Sequence, residues 1–138
     1  MLGIIENLDG SIKILTPAEG FTVQEALDHA GETGYVVPRS NIPTNNLFFP
    51  AFRMDVPNNL VYIDIAVAKA IVIEENEKAV KKQFKAIRPS WEEAVDNDDT
   101  AWMDQIKADR KDIRTTLIAK ISDINACTTI AEIEAYLP

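Results

Sequence analysis

From Ile65 to Arg88 the chain runs for two dozen residues with neither glycine nor proline. The two residues that interrupt regular helix are therefore missing, and Asp64 stands in front as a candidate N-cap. At 1.5 Å per residue this predicts a rod of about 36 Å. Ile73, Val80 and Ile87 recur at heptad spacing with Phe84 on the same seam, and Glu77 is its one polar interruption. Pro89 is expected to end or kink the rod. Ser90 would cap one or two further turns over Trp91–Val95, and Asp96–Asp99 forms a loop that caps the next helix.

A second long helix is expected from about Thr100 to Ile121. Trp102, Ile106, Ile113, Leu117, Ile121 and Ile124 fall on one stripe, with Asp109 and Arg110 as a polar gap. Two amphipathic helices joined by a short break should fold back as an antiparallel pair. Thr129 and Glu132 form a capping box for a terminal helix over Ile130–Leu137, which Pro138 closes.

Before residue 60 the period is different. Leu2–Asn7 and Ser11–Leu15 flank Asp9-Gly10, a pair that tolerates the positive φ of tight turns, so a β-hairpin is expected. Thr22 and Glu25 form a second capping box, Phe21 and Ala26 occupy the staple positions, and Gly31 suits a left-handed C-cap, so a short helix lies between them. Tyr35-Val36-Val37 reads as a third strand, stopped by Pro38. Ser40–Pro57 takes no regular assignment, because Pro43, Pro50 and Pro57 punctuate it. The fold class expected is α+β: residues 1–60 as a small α/β head with a Pro/Phe-rich loop, residues 61–138 as a helical hairpin plus terminal helix.

Chemistry is sparse. His29 is the only histidine and Cys127 the only cysteine, so no internal disulfide forms and a zinc site lacks ligands of the usual type. Counting a calcium loop from Asp96 puts Ala101 at the sixth place and Lys107 at the twelfth, where glycine and glutamate are required. Asp96, Asp98 and Asp99 read instead as a solvated, capping turn. Glu74-Glu75 and Glu92-Glu93 lie on exposed helical faces, which suits solvation better than acid–base work. The five glycines form no phosphate-binding loop. No catalytic residue, cofactor or metal is expected.

The net charge of −8 disfavours nucleic acid, with three basic against seven acidic residues up to Leu60 and eleven against fifteen beyond it. The longest apolar stretch, Ile65–Ile73, is interrupted by Lys69 and is too short for a bilayer. No signal-peptide pattern opens the chain, and a cytoplasmic-type soluble protein is expected. Lys78, Lys81, Lys82, Lys85 and Arg88 form one basic stripe, read first as a solvated face and otherwise as a contact for phosphate or an acidic partner. Phe48, Phe49 and Phe52, with Arg53 beside them, are the candidate partner-binding residues: three rings in five positions bury in the core or against another protein.

Three stretches carry a resemblance. Ile42-Pro43-Thr44-Asn45-Asn46-Leu47-Phe48 with Ala51-Phe52-Arg53, Asp64 with Ala68-Lys69-Ala70, and Thr128-Thr129, Glu132 and Leu137-Pro138 are similar to the loop, long-helix start and ending of small tail and tail-fibre-region proteins of tailed bacteriophages and prophages, some of them tail assembly chaperones. Asn45-Asn46 replaces the usual Asp-Arg of that loop, and Phe52 stands where tryptophan is common. The resemblance implies a non-catalytic tail protein whose partner is a tail-fibre or baseplate protein. It would act in the host cytoplasm during assembly or in the virion tail, and the helical seams leave room for a homo-oligomer. The alternative is an acidic inhibitor that mimics phosphate toward a host nucleic-acid enzyme; interleaved lysines weigh against it.

Overall fold

A computed structural model describes every residue, Met1–Pro138. The chain is α+β and divides into two compact units, Met1–Ala68 and Lys69–Pro138.

In the first unit, β1 (Leu2–Glu6) and β2 (Ile12–Leu15) form the expected hairpin, pairing antiparallel from Glu6↔Ile12 to Gly3↔Leu15. The Asp9 side chain holds the turn by accepting from the Ser11 amide at 2.9 Å, and Gly10 takes φ 81°. The hydrogen bonds from Ser11 also keep the Asp9 carboxyl below its ordinary value. α1 (Val23–Ala30) begins at Thr22 with both halves of the capping box formed, and ends at Gly31 with φ 69°. β3 (Tyr35–Val37) returns antiparallel to β1, so the sheet order is β2-β1-β3.

Leu2, Gly3, Ile4 and Ile5 of the central strand are all buried, because both faces of this small sheet are covered. On one face Ile5 packs with Val23 and Leu27 of α1, flanked by Leu15 and Val36. The other face belongs to a hairpin that the Pro-rich stretch of sequence does not announce. β4 (Phe52–Asp55) pairs with β5 (Leu60–Ile63), and β4 lies against β1 and β2. Its turn is held by Asp55, whose carboxylate accepts from both the amide and the side chain of Asn58, while Asn59 takes φ 50°. Between β3 and β4 the chain makes 3₁₀ turns at Arg39–Asn41 and Asn46–Ala51, and Pro50 sits inside the second.

α2 (Ile65–Asp96) starts where expected, with Asp64 accepting from the Val67 amide at 3.1 Å. It does not end at Pro89, and the turns expected separately over Trp91–Val95 belong to the same helix, which continues to Asp96. Lys85 and Pro89 both face solvent, so the Lys85 carbonyl that loses its intrahelical donor is left on the wet side. α3 (Thr100–Ala126) is capped by Asp99 and runs five residues past Ile121, far enough to bury Ile124. α4 is shorter than expected, Ile130–Glu134, with its Thr129/Glu132 capping box formed. Within the second unit α2 and α3 lie packed together as an antiparallel hairpin, joined by Lys69 Nζ to the Asn125 carbonyl at 2.8 Å and Lys120 Nζ to Asn76 Oδ1 at 3.3 Å.

Candidate interaction surfaces

The phenylalanine loop splits between inside and outside. Phe48 and Phe52 are 0% and 1% exposed and serve the core of the first unit, so their rings are not offered to a partner. Phe49 is 40% exposed and meets Phe52 edge-on, with ring centroids 5.5 Å apart. The Arg53 guanidinium donates through Nη1 to the carbonyls of Pro50 and Phe52, which ties it to its own loop. Of the four candidate residues, Phe49 is the one that presents an apolar ring outward.

Along the helical hairpin the expected seam is only half closed. Ile73, Val80, Phe84 and Ile87 of α2, and Ile113, Leu117 and Ile121 of α3, are all half-buried. Full burial is confined to the two ends: Ala94 and Ile106 near the turn, and Val72, Asn76, Ile124, Cys127 and Ile133 toward the chain end. Between them lies an open cleft of ≈ 260 Å³ whose walls include Val80, Gln83, Ile113 and Leu117. The polar gap at Asp109-Arg110 has a physical role. Arg110 lies over the Trp91 ring at 5.0 Å and Arg114 over Phe84 at 5.1 Å, so cations cover the seam's aromatic side.

Asn76 is a structural anchor that the sequence does not mark out. It is 3% exposed, donates to the carbonyls of Val72 and Tyr136 at 2.9 Å each, and accepts from Lys120. A polar residue one position before the seam's Glu77 gives no distinct signal.

The basic stripe is laced with acids. Lys78 bridges Glu74 and Glu75, both at 2.9 Å, and Arg88 pairs with Glu92 at 2.9 Å. The same hydrogen bond from Lys78 lowers the Glu74 carboxyl, and the paired acids raise the Lys78 ammonium. Lys81, Lys82 and Lys85 extend into solvent. This alternation leaves no unbroken acidic face on α2.

Asp99 caps α3 by accepting from the Trp102 amide at 3.0 Å, as a solvated turn would. No group of three or more His, Cys, Asp or Glu side chains is placed to hold a metal ion. Cys127 is buried, with Sγ 3.3 Å from the Asp123 carbonyl that accepts its weak donor. No helix is long and apolar enough to cross a membrane.

His29 lies on the wall of a second apolar recess, in the first unit. This groove of ≈ 490 Å³ runs between the end of β2 and α1, lined chiefly by Leu15, Phe21, Glu25, Ala26, His29 and Ala30. Phe21 and Ala26, the pair at the staple positions, both line this groove. Phe21 is 61% exposed and forms part of the groove wall.

Comparison with protein-family models, with curated proteins and with solved structures finds no match.

Proposed function

We propose that this chain is a non-catalytic protein of a bacteriophage tail that works by binding a tail-fibre or baseplate protein, as a tail component or as an assembly chaperone. The observation that carries the protein-binding part is the half-open seam of the helical hairpin. Seven large apolar side chains along it keep partial contact with water where a closed bundle would bury them. The tail assignment rests on the three sequence stretches that resemble such proteins. In this reading the chain works in the host cytoplasm during assembly and either stays in the finished tail or leaves it.

Mass spectrometry of purified virions, together with pull-down by the fibre and baseplate proteins of the same phage, tests this. Presence in virions identifies a component, and capture by the fibre without presence in virions identifies a chaperone. Detection in neither overturns the tail reading.

A further inference from the structure

The two outer strands of the three-stranded sheet are treated differently, and the difference can be read from hydrogen-bond parity. The Asn7 amide donates to the Ser11 carbonyl at 2.8 Å, which makes Asn7–Ser11 a hydrogen-bonded pair of the β1–β2 ladder. Such pairs alternate along an antiparallel ladder, so Ile5–Lys13 and Gly3–Leu15 are bonded as well. Ile12 and Ile14 therefore turn their N–H and C=O groups away from β1. β2 pairs with no other strand, and these groups take no other partner in the chain.

At the opposite edge, Val36 is the residue of β3 whose groups turn outward, and its carbonyl accepts from Asn59 Nδ2 at 3.3 Å. Asn41 Nδ2 in turn donates to the Asn59 carbonyl at 3.1 Å. One margin is thus covered by the β4–β5 turn, and the other is bare.

The bare margin adjoins the apolar groove. Leu15 belongs to both: its side chain lies on the α1 face, where a Cβ built on Gly3 would come within 3.3 Å of the Leu15 Cβ. Across the open side, the residue facing Leu15 would occupy a non-hydrogen-bonded position, where cross-strand side chains come closest. That side chain would enter the space between Leu15, Phe21, Ala26 and Ala30. Ala26 and Ala30 leave the room, and Phe21 supplies an aromatic wall.

We propose that the β2 edge and the α1 groove together form a site for an extended peptide segment of another protein, which adds as a fourth strand and places one large apolar side chain in the groove. The exposed backbone groups of Ile12 and Ile14 specify extended backbone, since only that geometry meets them in register. Glu25 in the groove wall, with Glu32 just beyond the same helix, favours a basic residue on the groove side of the apolar one, while Lys13, on the same sheet face as Leu15, favours an acidic or neutral residue opposite itself. A second copy fits less well, because the two symmetric registers that match the outward groups, about Lys13 or about Ile14, set Ser11 or Lys13 opposite Leu15 and supply no large apolar side chain for the groove. This site deepens the protein-binding reading and does not require the partner to be a tail protein.

Selection of a random peptide display library on the full chain, followed by amide chemical-shift titration with the selected peptides, tests the proposal. The expected peptides carry one aromatic or large aliphatic residue with a basic residue on one side and none opposite Lys13, and they shift Ile12, Ile14, Leu15, Ala26 and Ala30. Ile14→Pro removes an outward N–H at a place where an edge strand accepts proline, and Ala26→Leu fills the groove. Each should weaken binding at least about tenfold, with circular dichroism unchanged. Ile14→Pro that unfolds leaves Ala26→Leu to decide.

Failure to select any peptide, shifts located elsewhere, or full affinity in a folded Ala26→Leu variant would overturn the proposal. So would concentration-dependent shifts of Ile12 and Ile14 without peptide, which would assign the edge to a second copy. Peptide binding at this edge by a chain found in no virion and captured by no fibre or baseplate protein would retain the site and discard the tail assignment.

Discussion

Asn76, buried in α2, donates a 2.9 Å hydrogen bond to the carbonyl of Tyr136, sixty residues further along the chain. With its other amide hydrogen on Val72 and its oxygen accepting from Lys120, the side chain joins all three parts of the second unit. Replacing Asn76 by alanine strands a carbonyl and an ammonium group together. The expected loss is about 1–3 kcal/mol in urea unfolding, with faster hydrogen exchange at Tyr136 and Leu137. An unchanged midpoint would show that water replaces the amide without cost.

Phe52 and Phe49 stand four and one residues after Phe48 but on different sides of the first unit's surface. Phe52→Ala removes a fully buried ring and should cost about 3–5 kcal/mol. Phe49→Ala loses an exposed edge-on contact, and about 0.5–1.5 kcal/mol is expected. Comparing the two urea midpoints checks the ordering, and equal losses would contradict the placement of the rings.

Acid should weaken both capping boxes. The Glu25 carboxylate accepts from the amide and hydroxyl of Thr22, and Glu132 accepts first from the amide of Thr128, so both titrate below the ordinary 4.5. A carboxyl whose folded-state value is depressed contributes stability that is present above its unfolded value. That contribution is lost as pH falls through the folded value. Stability should therefore drop between about pH 5 and about pH 3, and the double change Glu25→Gln and Glu132→Gln should flatten that slope. An unaltered slope would place the acid sensitivity elsewhere.

Pro89 is tolerated inside α2, not favoured there. Alanine restores the missing N–H and removes the clash with the preceding turn, for an expected gain of up to about 3 kcal/mol. Thermal unfolding measures it; a loss in stability would mean that the local geometry at Pro89 is itself required.

Local signals explain which elements are legible in the sequence. Asp9-Gly10, the Thr22/Glu25 and Thr129/Glu132 boxes, Asp64 and Asp99 each satisfy backbone groups within a few residues, so their effect is visible in a short window. The β4–β5 hairpin is hidden by Pro50 and Pro57, although Phe52-Arg53-Met54-Asp55 alternates inward and outward as a strand should. The fate of Phe48 and Phe52 depends on that hairpin covering the sheet, a long-range fact no local pattern carries. The same holds for Asn76, whose partners lie on α3 and at the chain end, and for the groove, which needs β2 beside α1. Phe21 offers the one local hint of that groove, and its staple position gives it a different meaning.

The Asn59 side chain on the Val36 carbonyl sets a limit on growth. A sheet with two bare margins can propagate into a filament, each added layer presenting the next free edge. Here the far side is already stoppered, so copies of this chain cannot stack edge to edge through both margins of the sheet. The molecule can join an assembly through this sheet without seeding a fibril.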